Sequence, residues 1–360
     1  MTRDPAADNT RLTDRLAQGT RDTVAAVRAV SAAGLVGVLL GASVFATPAG
    51  AGEFKLELPL GLQEQAMNVP EDNPLTPEKI ALGKQFFWDK RWSKNGTVAC
   101  VSCHLPDHAW ADPRQFSARF DGGSTPRHSP TVINRIFSSE QTYSGGRKSL
   151  EDQAIHAVDQ SPEMIVKNLG AVLEYQEQFR RVFGTDLNPE GVAKAISSYT
   201  RMLISGKSPY DRFQAGDTQA MSTAARRGWE LFKAKAACQQ CHAGFNFTDE
   251  GYHNLGVGMN QDKPFLGRFV VTNREADKGA IKTPTLRDVA KRPPYMHDGS
   301  LKTLEEVVAF YNRGGQVNRW LSAAIKPLNL TANEQADLIA FLHALTGEVS
   351  PDIASAPRLP

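Results

Sequence analysis

Every cysteine of the chain sits in one of two five-residue motifs. Cys100-Val101-Ser102-Cys103-His104 is the first and Cys238-Gln239-Gln240-Cys241-His242 the second, and together they use all four cysteines of the 360 residues. Three chemistries compete for such pairs. A disulfide is the ordinary use of cysteine in an exported protein. Zinc wants four ligands grouped as a tetrahedron. A thioredoxin-like redox pair belongs on a βαβ unit. None of these explains a histidine directly after both pairs. Covalent haem does, because the two thiols add to the haem vinyl groups and the next residue turns its imidazole onto the iron. The motifs therefore predict two covalently bound haem c groups on Cys100, Cys103, Cys238 and Cys241, with His104 and His242 as proximal iron ligands.

The elements that must position these motifs read as helices. Thr76-Pro77-Glu78 has a capping residue followed by proline at the first helical position, and the apolar face continues through Ile80, Phe86 and Phe87. Asn188-Pro189-Glu190 opens another helix, with Val192, Ile196, Tyr199 and Leu203 on one face. Thr331 to Glu334 forms a capping box before Leu338, Ile339, Leu342 and Leu345, and Gly347 is the expected stop. No long alternating strand pattern occurs. Residues 52–75 read as extended. The fold class is mainly α with long loops, as expected where haem fills much of each core.

The chain also repeats itself. Gly83-Lys84-Gln85-Phe86-Phe87 precedes the first motif as Gly228-Trp229-Glu230-Leu231-Phe232 precedes the second. Pro130-Thr131-Val132 matches Pro284-Thr285-Leu286, and Gly145, Lys148, Ser149, Leu150 and Glu151 match Gly299, Lys302, Thr303, Leu304 and Glu305, all at an offset of 154 residues. The expectation is two cytochrome-c-like haem domains related by internal duplication. One spans 52–215 and the other 216–348, joined near Ser208 to Asp217, with a C-terminal tail at 349–360.

Ahead of these domains, Arg28 stands before an uncharged small and apolar run from Ala29 to Ala46, and Ala49-Gly50-Ala51 closes it. That layout predicts a secretory signal cleaved after Ala51 and a periplasmic mature chain. Its rival is an uncleaved anchor, since the run barely suffices to span a bilayer. Of 41 basic and 39 acidic residues, five Arg and four Asp lie in the leader, which leaves 36 against 35. A balance so near zero gives no reason to expect a nucleic-acid partner.

With these motifs the sequence resembles the bacterial di-haem cytochrome c peroxidases and their relative, the methylamine-utilisation enzyme MauG. The resemblance runs from about Val69 to Gly347. It rests on both haem motifs, Leu82-Gly83-Lys84-Gln85-Phe86-Phe87, Ser129-Pro130-Thr131-Val132-Ile133-Asn134, Thr283-Pro284-Thr285-Leu286-Arg287, Pro294-Tyr295-Met296-His297-Asp298-Gly299-Ser300 and Thr303-Leu304-Glu305-Glu306. It implies two separated haems. The first meets peroxide, and the second passes or stores electrons.

The resemblance also assigns residues. The family's distal glutamine falls on Gln153 and its catalytic glutamate on Glu163, ten residues later. A glutamate buried beside an apolar haem face is expected to have a raised pKa, suited to moving a proton between peroxide oxygens. The histidine that closes the first haem in many members falls on Phe120. His108, His128 and His156 are the nearest alternatives, with His156 beside the distal pocket. An open first haem is therefore expected, as in MauG. The family's pocket proline becomes Ala157 and its inter-haem tryptophan becomes Tyr143, a candidate electron relay. Its calcium-ligating asparagine becomes His128, which leaves calcium without one of its ligands.

For the sixth ligand of the second haem the candidates are Met259, Met296 and Tyr311. Methionine is usual in the peroxidases and raises the haem potential. Tyr311 matches the MauG tyrosine, and the repeat offset places Tyr311 opposite Ala157, so one position would close one haem and open the other. His297 is expected near the second haem, and His253 and His343 as structural residues.

Together these residues predict a periplasmic di-haem c-type peroxidase that reduces hydrogen peroxide, with electrons from a small c-type cytochrome or cupredoxin. One alternative is MauG-like oxidation of residues in a secreted partner protein. Another is a non-catalytic di-haem electron carrier, which would have no use for Gln153 and Glu163. Turnover with peroxide separates the carrier from the two enzymes.

Overall fold

The computed structural model describes residues 54–157 and 161–360. The leader read at 1–51 lies outside the described residues. The helices in chain order are α1 Pro77–Trp88, α2 Leu150–Ile155, α3 Pro162–Gly170, α4 Leu173–Phe183, α5 Pro189–Arg201, α6 Pro209–Gln214, α7 Thr223–Lys233, α8 Phe269–Thr272, α9 Leu304–Asn312, α10 Ala332–Ala344 and α11 Pro351–Ala354. The sheet content among the described residues is one antiparallel pair, β1 Tyr252–His253 with β2 Ile281–Lys282, plus isolated bridges. The protein is mainly α, as the missing alternation implied.

The predicted helix starts are made by the predicted residues. Thr76 Oγ1 accepts from Lys79 N at 3.2 Å, and Asn188 Oδ1 accepts from Gly191 N at 2.9 Å. The Thr331–Glu334 box closes in both directions, at 3.3 and 2.8 Å. One expected stop is different. α10 ends at Ala344, and Gly347 instead donates its N–H to Asp288 Oδ1 at 2.6 Å, tying the chain end to a buried aspartate. Residues 54–75 are irregular, with a single 3₁₀ turn at Glu64–Ala66.

Two apolar clusters organise the chain. In the first, α1 crosses α5, and Phe86, Phe87, Ile196 and Tyr199 are buried with Trp110. In the second, α7 crosses α10, burying Phe232, Leu338 and Phe341 with Phe247. Each crossing is close because a glycine lies in it. A Cβ on Gly83 would fall 1.8 Å from Ala195 O, and one on Gly228 1.9 Å from Asp337 O. These are the two glycines that lead the matched segments before the motifs.

The repeat offset of 154 residues is visible in backbone geometry. Bridge Gln141↔Arg147 corresponds to bridge Tyr295↔Leu301. Thr131 Oγ1 donates to Ala109 O at 2.5 Å, and Thr285 Oγ1 to Asn246 O at 2.6 Å. Asn134 and Asp288 have φ of 56° and 55°, and Thr142 and Met296 of 70° and 72°.

The expected join near 208–217 is α6, and Asp211 on it is buried in an ion pair with Arg287 at 2.8 Å. Arg287 also donates to Phe245 O and Gly61 O, so one guanidinium binds three segments. The C-terminal residues expected as a tail return to the first cluster. Val349, Ile353 and Ala354 pack against it, and Tyr199 Oη donates to Ile353 O at 2.9 Å.

Candidate functional site

Both cysteine motifs fold into the same short turn. Cys100–Ser102 and Cys238–Gln240 are 3₁₀ turns, and the amides of His104 and His242 donate to Cys100 O and Cys238 O at 3.1 and 2.9 Å. The turn brings two thiols and the imidazole that follows them together. Burial pushes the thiols of Cys100 and Cys238 up to about 12, so they are protonated in the chain by itself.

The histidines are oriented from behind. His104 Nδ1 bonds to Trp110 O at 3.2 Å and His242 Nδ1 to Phe247 O at 3.0 Å. A carbonyl accepts only from N–H, so both rings carry the proton on Nδ1 and keep the Nε2 lone pair for a metal. Burial lowers the pKa of both, that of His242 to about 4, so both are neutral at pH 7.

Beside the second turn lies a cavity whose wall includes Cys238, Cys241, His242, Met296, His297 and Tyr311. Tyr311 stands on the last turn of α9, and burial raises its phenol pKa. Met296 reaches the same wall from a left-handed turn residue, so two of the three candidate ligands share this wall. Met259 places its sulfur against Gly279, where a Cβ would fall 2.5 Å away. Tyr143, from the first half, is also on the wall, with its ring 6.1 Å from that of His297.

Three wall residues were not legible in the sequence as members of this site. His128, named from the sequence only as an alternative closing histidine and at the calcium position, is buried there with Nδ1 on Arg114 O at 3.1 Å. Arg292 is half-buried on the wall, and its Nε is buried without a partner. No spacing rule marks such an arginine, because its role depends on a cavity built by distant segments. His253 pairs with Asp249 at 2.9 Å and is held up to about 9, first by Cys241 and then by Asp249. Cys241, Asp249 and His253 form a ligand-like trio. Zinc would need a fourth ligand, and this cysteine already belongs to the motif turn.

Around the first turn the expectation of a buried, raised glutamate is overturned. Glu163 is exposed at the start of α3, and its carboxyl is held below the usual carboxylate range by its own backbone N–H and by Ser161. The cause is its position. Glu163 is the second residue of the helix, where unsatisfied N–H groups favour a negative charge. Gln153 lies on α2 and is half-buried. Residues 158–160, between Ala157 and α3, lie outside the described residues. Ala157 packs against the first cluster. His156 is exposed and bonds to Asp152 O at 2.9 Å, so it faces its own helix. His343 is exposed on α10.

Twin motif turns in a mainly helical chain define a di-haem protein of the peroxidase class. The family described as di-haem cytochrome c peroxidase matches residues 77–219. The chain is 39% identical over 299 residues to the methylamine utilization protein MauG of Methylorubrum extorquens, covering 81% of this chain and 84% of that one. It is 38% identical over 352 residues to a cytochrome-c peroxidase, IdrP1, of Denitromonas iodatirespirans, covering 88% and 93%. Among solved structures, a MauG-like protein associated with microbial copper homeostasis superposes with a TM-score of 0.77 at 30% identity, covering 84% of this chain and 99% of that one. The chain belongs to the di-haem cytochrome c peroxidase/MauG family, and it is an oxidoreductase of the di-haem peroxidase type with haem cofactors.

Proposed function

We propose that the protein is a periplasmic di-haem c-type peroxidase of the MauG-like branch, which reduces hydrogen peroxide at the first haem with electrons supplied through the second. Cys100 and Cys103 would hold the first haem and Cys238 and Cys241 the second, with His104 and His242 as proximal ligands. The residues fit such groups. The two turns pair thiols with a neutral imidazole, and the orphaned Nε of Arg292 on the second cavity wall suits a propionate. Haem supplies the redox chemistry; the residues around it supply position and protons.

At the first haem Gln153 would hold peroxide and Glu163 would take its proton. A carboxylate below the usual range is ionised at neutral pH, so it acts first as an acceptor. At the second, Tyr311 would be the sixth ligand, with Met296 as its rival, and Tyr143 would relay electrons between the halves. The observation that carries this reading is the contrast across matched positions. Tyr311 lines the second cavity, whereas Ala157 offers no ligand atom. The matched turns and bridges support internal duplication, with halves at 52–215 and 216–348. The apolar run before Ala51 supports export, and no helix of the described residues is long and apolar enough to cross a membrane. Replacement of the family's asparagine by His128 argues against calcium.

A second reading, oxidation of residues in a secreted partner protein, is favoured by Tyr311 over Met296. A phenolate stabilises ferric and higher iron, and so favours storing oxidising equivalents. The test is a peroxide titration of the ferric protein, alone and with a reduced small cytochrome or cupredoxin. Fast donor oxidation is expected. Optical spectra that peroxide leaves unchanged would overturn both readings.

A further inference from the structure

Tyr252 lies behind the wall of the second cavity. In the β1–β2 pair His253 faces Ile281 and Tyr252 faces Lys282. Neighbouring residues of a strand point to opposite sides, and His253, Ile281 and Lys282 contribute to the cavity wall whereas Tyr252 does not. The Lys282 ammonium is 5.6 Å from its centre. The same strand is tied to the candidate relay, for Lys282 N donates to Tyr143 O at 2.9 Å. The Tyr252 hydroxyl occupies the space left by Gly145, two residues after Tyr143, where a Cβ would fall 1.8 Å from it.

The hydroxyl has a proton acceptor in place. Tyr252 Oη donates to Glu140 Oε2 at 2.7 Å, within the range for direct proton transfer. Arg268 holds the same carboxylate at 3.0 Å, and its guanidinium lies 4.2 Å from the Tyr252 ring centre. Among the described residues Tyr143 Oη has no hydrogen-bond partner, and the nearby charges acting on it are Arg292, Arg127 and Asp298. Tyr143 is therefore suited to passing an electron, while Tyr252 can lose an electron and a proton together.

We propose that Tyr252 and Glu140 form a proton-coupled redox relay between the second haem and the protein surface. The inference rests on the peroxidase reading, which supplies hydrogen peroxide as the oxidant. Each hydrogen peroxide takes two electrons from the haem system and two protons from solvent and leaves as two waters. The Tyr252 O–H bond then breaks. Its electron goes to the oxidised second haem, and its proton goes to Glu140 Oε2. A reduced donor returns the electron, and Glu140 returns the proton. The half-exposed ring and carboxylate are where a protein donor, or a protein being oxidised, meets this path.

The test is electron-spin spectroscopy of the ferric holoprotein, freeze-quenched after hydrogen peroxide without donor. A tyrosyl radical signal is expected, narrowed in protein grown on ring-deuterated tyrosine. Tyr252→Phe should lose it while the optical response of the haems to peroxide remains. Glu140→Gln keeps an oxygen that accepts the hydrogen bond but cannot take the proton, and it should lose the signal too. Persistence of the signal in Tyr252→Phe overturns the proposal. So does its loss only in Tyr175→Phe, since Tyr175 also donates to a carboxylate, Asp89, at 2.7 Å but in the first cluster. A signal unchanged in Glu140→Gln removes Glu140 as acceptor and overturns the relay as stated. Haems that ignore peroxide sink the peroxidase reading and this inference together. Haems that respond while the signal persists in Tyr252→Phe sink this inference alone.

Discussion

α2 and α9 begin at matched positions, capped by Ser149 and Thr303 through bonds of 3.1 and 3.2 Å. They end differently. α9 runs nine residues and delivers Tyr311 to the second cavity, whereas α2 stops after six at Ile155, and Ala157 lies beyond its end. The cysteine turns themselves scarcely differ. On the proposed reading the halves are thus alike where haem would be attached and unlike where its open face would be decided. A repeated fold can keep an attachment turn and still divide labour, because the opposite face depends on one helix's length and one side chain.

The sharpest way to break the comparison is at the turns. Cys238→Ser combined with Cys241→Ser should abolish covalent attachment in the second half and leave the first intact, read as one haem instead of two by intact mass. Loss of both would mean that the halves do not mature independently.

Tyr311→Phe tests the difference directly. The parent should show two spin populations at rest, and the variant should convert the six-coordinate second haem to an open or water-bound one with the first unchanged. An unaltered low-spin signal would transfer the role to Met296, and Met296→Leu would then be measured.

Glu163→Gln should slow the peroxide reaction by roughly 10²–10⁴-fold, the usual contribution of a positioned acid–base group. The position of Glu163 at a helix start adds a pH signature. Its carboxyl lies below the usual range, so the acceptor is present above that low pKa and lost as pH falls through it. The parent's rate should stay level through neutrality and fall only in acid. A midpoint near neutrality would point to a different group.

The smallest effect expected is at the helix crossings. Gly83→Ala and Gly228→Ala each drive a methyl into a backbone carbonyl, and overpacking of this kind costs about 1–3 kcal/mol. Because each glycine serves its own cluster, thermal unfolding should show each variant weakening its own half first. Equal loss in both would mean that the Asp211–Arg287 pair and the returning C-terminal residues make the halves unfold as one.

Much of this was open to reading in the chain itself. The helix starts, the two cysteine turns and the bridges matched 154 residues apart follow from local chemistry. Thr76, Asn188 and Thr331 bond to amides three residues on, and a cysteine turn spans five residues. Such interactions close within a few residues, so the sequence determines them. What it could not decide is what neighbours a residue across the fold. Glu163 was expected to be buried and lies exposed at a helix start, where N–H groups lower its pKa. Arg292 and His128 gain their meaning only when segments more than a hundred residues apart share one wall, and the Tyr252–Glu140 pair only when residues 112 apart meet behind it. Burial and charge proximity are properties of that packing, and they set the protonation of each group.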